Sequence, residues 1–346
     1  MHLIIAEKHD AAKRIAQILA AGKPRSLRVA GVEAFQFDDR VVLGLSGHIV
    51  GIDYPLGYNN WQKVDCKDLI RAEIVVRPIQ EKIISALHKL GKEADRVTIA
   101  TDYDREGELI GVEALKIVEE AKPKIKADRV RYSAIVKDEI IKAFQDSGNV
   151  DYELAASGEA RQIIDLVWGA ALTRYISLTS GRLGKEFLSV GRVQSPTLAL
   201  IVDREKEIQS FVPQPYWEIY ADLEKELRVQ HAKGRIWEKS EVDGIISRLG
   251  PEGIITSIET KQRIDRPPAP FDTTSFIAAA SGIGLSAANA MRIAEWLYTN
   301  GFISYPRTDN TVYPPSIDLS ALTRLFLTGA FAQEAARLLQ GKMQPT

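Results

Sequence analysis

Over the first 150 residues short apolar runs alternate with stretches of helical periodicity, and this alternation restricts the fold more than anything else in the chain. His2–Ala6 has the pattern of a strand and Asp10–Ala21 that of a helix, with Asp10 placed to cap it. Leu27–Gly31, Ala34–Phe37 and Val41–Ser46 are short strand patterns separated by turn residues. Ile79, Ile83, Ile84, Leu87 and Leu90 form one stripe of a helix over Ile79–Leu90. Arg96–Thr101 then predicts a strand, Gly107–Ala121 a helix, Arg129–Ser133 a strand and Lys137–Gln145 a helix. Such alternation implies an α/β fold built on a mostly parallel, doubly wound sheet.

The pattern changes at Asp151. Glu153–Leu178 and Arg192–Ile208 read as helices, split by the Gly-containing segment Ser180–Gly191. Pro213-Gln214-Pro215 marks a boundary, and Tyr216 to Glu259 reads as strands around one helix, Lys239–Leu249. Arg266-Pro267-Pro268-Ala269-Pro270 is a stiff linker, because proline restricts itself and its predecessor. Helices over Thr273–Ala280 and Ser286–Thr299, a stop at Asn300-Gly301 and an extended Phe302–Tyr305 give the order of a winged-helix unit. The expected division is 1–150 (α/β), 151–212 (helical), 213–270 (β-rich) and 271–346 (winged-helix-like). A length of 346 residues accommodates several such domains.

Composition narrows the setting. The single cysteine, Cys66, excludes an internal disulfide and a Cys-rich zinc cluster, which fits a reducing cytoplasmic location. The N-terminus becomes charged at Glu7-Lys8, too early for a signal peptide, and no apolar run reaches the roughly 20 residues a membrane helix needs. The net charge of −1 does not advertise a nucleic-acid partner, but a bound strand senses local potential rather than the sum. Locally basic groups exist: Arg161, Arg174, Arg182, Lys185 and Arg192, and then Lys261, Arg263 and Arg266.

Two stretches carry chemistry. Asp102, Asp104 and Glu106 follow the apolar strand Val97–Ala100 at spacing i, i+2, i+4, so an extended backbone would point all three carboxylates to one face. Clustered carboxylates repel unless a cation neutralises them, and hard oxygen donors select Mg2+ or a similar ion. Their place at the carboxyl end of a parallel strand is where such sheets bind ligands, and Glu7 and Lys8 end the strand that would neighbour them. The competing reading is that these acids cap the helix that follows. The second stretch is Gly301-Phe302-Ile303-Ser304-Tyr305-Pro306-Arg307-Thr308-Asp309. A phenol with a pKa of about 10 is a poor nucleophile until a cation stabilises its anion, and Arg307 would share a face with Tyr305. The plainer reading is a buried tyrosine beside a tight turn. Trp217 and Trp296 have spacings more typical of core residues than of base-stacking ones.

Four ordered segments together resemble the type IA DNA topoisomerases: Leu3–Lys8 (LIIAEK), Ile99–Glu108 (IATDYDREGE), Gly191–Pro196 (GRVQSP) and Phe302–Asp309 (FISYPRTD). Gly47-His48-Ile49, Ala160-Arg161 with Asp165, Phe211–Trp217 and Ser286–Met291 are weaker echoes. The Glu7-Lys8 pairing is closer to the topoisomerase III and archaeal branches, whereas His9-Asp10 departs from the Pro-Ser often found there. The resemblance implies a Toprim domain over 1–150 and ATP-independent, Mg2+-dependent relaxation of negatively supercoiled DNA through a 5′-phosphotyrosine on Tyr305. It implies that Arg307 and Lys8 neutralise the scissile phosphate and that Glu7 protonates the leaving oxygen. The metal ligands would be Asp102, Asp104, Glu106 and Glu7, and the contacts to single-stranded DNA would come from Arg161, Arg192, Gln194 and Ser195. A chromosome-associated monomer with a helicase as candidate partner is the expected setting. A Toprim nuclease or primase would use the same acids without the tyrosine. Type IA enzymes have a longer core and a histidine-containing stretch after the tyrosine; no histidine follows His231, so the chain reads as the N-terminal portion of such an enzyme.

Overall fold

The computed structural model describes residues 1–265, 268–313 and 317–341. The expected linker at 266–270 therefore lies partly outside the described residues, as does Arg266 of the second basic group. Two compact units are distinguished: Met1–Arg192 together with Pro267–Thr346, and Val193–Arg266.

The first unit opens with β1 (His2–Ala6), α1 (His9–Leu19), β2 (Arg25–Val29), β3 (Val32–Phe37), β4 (Arg40–Gly44), β5 (Val50–Asp53) and β6 (Val75–Pro78). It continues through α2 (Glu81–Glu93), β7 (Arg96–Ala100), α3 (Arg105–Ala121), β8 (Lys126–Arg129), α4 (Lys137–Gln145) and the long α5 (Tyr152–Thr179). Six strands form one sheet in the order β2-β3-β4-β1-β7-β8. The four from β4 to β8 pair in parallel, while β2 and β3 extend the sheet as antiparallel strands. β5 and β6 make a separate antiparallel pair.

β1 has no polar alternation because it is buried on both faces. Leu3 and Ile5 pack with Leu43, Val97 and Ile99 against Leu87, Ala114 and Leu115 of α2 and α3. Ile4 and Ala6 face the other way, among Ala12, Ile15 and Ala16 of α1 and Ile140 of α4. Parallel register aligns Ala6 with both Gly44 and Ala100. The strand ends are therefore level, and Glu7 emerges beside Thr101 and Asp102.

The second unit holds α6 (Gln194–Ser210), the hairpin β9 (Tyr220–Leu223) and β10 (Leu227–Gln230), and α7 (Lys239–Ile246). The first unit resumes with α8 (Thr273–Gly282), α9 (Ala287–Thr299), α10 (Leu319–Arg324) and α11 (Ala332–Gln340). Among the described residues no single helix is long and apolar enough to cross a membrane.

Several local expectations need correction. Lys8, not Asp10, occupies the cap position of α1, and Asp10 lies in its first turn. Arg129–Ser133 is a strand only at its beginning, because β8 ends at Arg129. Phe302–Tyr305 is a succession of bends rather than a strand, so no wing strand follows α9 among the described residues. Trp296 is exposed and stacks on Phe302, centroids 6.0 Å apart, instead of filling a core.

Candidate functional site

β7 ends at Ala100, residues 103–104 bend, and α3 begins at Arg105, so Asp104 is extended only as the helix cap and Glu106 sits in the first helical turn. The period-two argument for Glu106 therefore fails. Asp104 also performs the competing role: one of its oxygens caps α3, accepting from the Gly107 N–H at 2.7 Å. Gly107 is required there, because a Cβ would lie 2.2 Å from the Asp102 carbonyl oxygen.

The tyrosine segment closes onto this turn. Tyr305 donates its hydroxyl to the second oxygen of Asp104 at 2.5 Å, across 201 residues of sequence. Its backbone N–H donates to the Ser133 carbonyl at 2.7 Å. Tyr298, on α9, donates to Asp102 Oδ1 at 2.9 Å and meets the Tyr305 ring edge-on, centroids 5.2 Å apart. Gly301 permits this docking: its φ of +76° suits glycine, and a Cβ would stand 2.7 Å from the Ile135 carbonyl oxygen.

Glu7 accepts from the Asp102 N–H at 3.3 Å, which places a third carboxyl in the group. Burial first, and the Asp102 charge second, push its pKa from 4.5 up to about 7. Asp102 is also raised, chiefly by burial, although the charge of Lys8 opposes the shift. Tyr305 lies above the ordinary phenol range because of burial, the hydrogen bond to Asp104 and the surrounding carboxylates. The nucleophile candidate is thus held here as a neutral phenol. Its hydrogen-bond acceptor, Asp104, is the partner that sequence alone left unidentified.

Both cations expected around Tyr305 stay near the acidic group but are shared with Glu295. Arg307 donates to Glu295 of α9 through Nε at 3.0 Å and through Nη2. Lys8 Nζ lies 3.9 Å from both Glu295 and Glu7.

Glu106 faces a different neighbourhood. It accepts from Arg161 Nη1 at 3.0 Å and contacts His48 Nε2 at 3.2 Å, while His48 Nδ1 contacts Glu113 at 3.0 Å. An imidazole between two carboxylates donates from both nitrogens only when protonated, and the Glu113 contact leads in raising its pKa. Arg161 reaches this place because α5 lies against α3, where a Cβ on Gly158 would be 2.9 Å from the Arg105 carbonyl oxygen. Arg161 also approaches Asp165 at 3.8 Å, and Asp165 takes two hydrogen bonds from Arg192, at 2.6 and 3.2 Å. Gln194 and Ser195 open α6 in the second unit.

Arg129, missed in the sequence, carries much of the architecture. Fully buried, it donates to Glu108 at 2.7 Å, to the carbonyls of Thr101 and Asp102, each at 2.8 Å, and to that of Val130 at 2.6 Å. It thereby fixes the turn that presents Asp102. An Arg-Val-Arg run at a strand end offers no signal that its first arginine points inward. Tyr298 is similarly silent, because a helical tyrosine reads as ordinary core.

Glu7, Asp102 and Asp104 supply the hard oxygen donors that suit Mg2+, and the raised Glu7 and Asp102 reflect burial first and the neighbouring carboxylate charge after it. As arranged, with Glu106 held by Arg161 and His48, no three such groups among the described residues converge on one ion position.

Comparison with known proteins agrees with this geometry. A Toprim domain model matches residues 2–135, and a DNA topoisomerase model matches residues 149–346. DNA topoisomerase 1 of Archaeoglobus fulgidus is 48% identical over 99% of this chain and 52% of its own length. DNA topoisomerase 1 of Thermoplasma acidophilum is 45% identical over 96% of this chain and 44% of its own. The structure of full-length topoisomerase I from Thermotoga maritima superposes with a TM-score of 0.69 at 28% identity, covering 96% of this chain and 53% of that one. The chain spans about half the length of these relatives.

Proposed function

The chain belongs to the type IA DNA topoisomerases, and on that premise we propose that it carries the centre at which such an enzyme cuts and reseals one DNA strand. One observation carries the reading: the Tyr305 hydroxyl meets Asp104 at 2.5 Å, bringing a nucleophile from the far end of the chain onto the acidic turn. A nuclease or primase would use the acids without such a contact.

In the proposed reaction the Tyr305 oxygen attacks a backbone phosphorus and gives up its proton to Asp104. A tyrosine–phosphate bond forms on the 5′ side as the bond to the 3′ oxygen breaks. Glu7, whose pKa burial and the Asp102 charge raise to about 7, donates the proton that the departing oxygen needs. Resealing reverses each transfer, and the phosphotyrosine ester conserves the bond energy, so no ATP is consumed. Arg307 and Lys8 neutralise the scissile phosphate once they turn from Glu295. Glu7, Asp102 and Asp104 would hold Mg2+, which supplies charge neutralisation and alignment of the broken ends. Arg161 and Arg192 are proposed backbone contacts for a single-stranded segment, with Gln194 and Ser195 assisting.

The test is covalent capture. Single-stranded DNA should form an SDS-stable adduct on the wild-type chain and none on Tyr305→Phe, which should still bind DNA. An adduct surviving in that variant would remove Tyr305 from the mechanism.

A further inference from the structure

Glu295 lies three residues before Tyr298 on α9, between the two cations assigned above to the scissile phosphate. Its oxygens are divided: Oε1 accepts from Arg307 at 3.0 Å through Nε and also through Nη2, while Oε2 faces Lys8 Nζ at 3.9 Å. The side chain is 30% exposed, and Ala294 and Tyr298 beside it are buried, so the helix is anchored while the carboxylate remains within reach of solvent. One negative charge shared by two oxygens between a guanidinium and an ammonium has the same form as a phosphodiester held by that pair.

We propose that Glu295 is the residue that sets the affinity of the Lys8–Arg307 pair for DNA: its carboxylate occupies the phosphate position, and a phosphodiester binds by displacing it. The inference rests on the assignment of Tyr305, Lys8 and Arg307 given above. Binding at this point is an exchange of one anion for another, so the pair contributes only the difference between the two. That keeps the grip on any single phosphate weak enough for release after resealing. Glu295 stands outside the acidic group that would hold a metal, which separates its role from cofactor loading.

The experiment measures equilibrium binding of a fluorescent single-stranded oligonucleotide across a salt series, in a Tyr305→Phe background that cannot cleave. Glu295→Gln keeps an acceptor for Arg307 but loses the charge. It should bind roughly three- to tenfold more tightly at low salt, the range spanned by two partly exposed ion pairs. Its slope of log K against log salt should steepen by up to about one. Glu93→Gln, which changes net charge equally at the other end of β7, should leave binding unaltered. Glu295→Asp retains the charge and should bind no more tightly than the parent. Unchanged or weaker binding by Glu295→Gln, or equal tightening in the aspartate or Glu93 variant, overturns the proposal. An SDS-stable adduct persisting in Tyr305→Phe would instead overturn the nucleophile assignment, so the two failures are distinguishable.

Discussion

Replacing Glu7 by glutamine removes an ionisable group from a place where ionisation opposes folding. The side chain is 13% exposed, lies beside Asp102, and has its pKa lifted from 4.5 to about 7. A raised carboxyl pKa means that the folded state holds the proton more tightly than the unfolded chain. The penalty is absent below about pH 4.5, grows between 4.5 and 7, and is complete above about 7. With about 1.4 kcal/mol per unit, the shift corresponds to about 3 kcal/mol of stability lost at pH 8 relative to acid. The amide of Glu7→Gln retains an acceptor for the Asp102 N–H and carries no charge. Urea denaturation without divalent metal, from pH 4.5 to 8.5, should therefore show similar stabilities at the acid end. At the alkaline end the variant should be more stable by about 3 kcal/mol. Millimolar Mg2+ should reduce that advantage by stabilising the wild type. A difference that stays flat across this interval would refute the electrostatic account of the cluster and remove the basis for Glu7 as a proton donor near neutrality.

Arg129→Met should lower stability by about 3–5 kcal/mol, since it strands the Glu108 carboxylate in the interior; adding Glu108→Gln should recover part of the loss in a double-mutant cycle read by denaturation. Gly301→Ala should weaken docking of the tyrosine segment, at about 1–2 kcal/mol for the left-handed backbone plus the close approach to Ile135, seen as faster amide exchange at Tyr305. Asp104→Asn should lose the proton acceptor for Tyr305 while its amide oxygen keeps the α3 cap, so adduct formation should fall by more than tenfold with stability changed by less than about 1 kcal/mol. His48→Ala should release Glu106 from its imidazole contact, and titration of Mg2+ by calorimetry should show an altered affinity.

The sequence disclosed what depends on local pattern and strand-end placement. Alternating apolar periods located β1, α2, β7, α3, α4 and α5 within a few residues, because each buries a continuous face. Glu7 and the acidic turn were recognisable as neighbours because parallel strands present their carboxyl ends together. Partnerships set by packing were not legible. Whether Glu106 joined Asp102 or turned toward Arg161 depended on where α3 began, and on α5 crossing it at Gly158. Arg129 and Tyr298 carried no local signal, since their role depends on Glu108 and the Thr101–Asp102 turn, more than twenty residues away in the chain, being in place. The hairpin from β5 to β6 was missed because its strands are short and half-buried.

The alignment of Ala6 with Ala100 has a consequence for how this centre tolerates change. Successive strand residues face opposite sides, so inserting or deleting one residue in β1 would turn Glu7 from the acidic turn toward the far layer of helices. The apolar residues ahead of it would exchange sides at the same moment. The proposed proton donor and the hydrophobic interior are thus written in one reading frame. Length changes should accumulate in the loops around Asn60 or after Leu249, while β1 and β7 keep a fixed residue count.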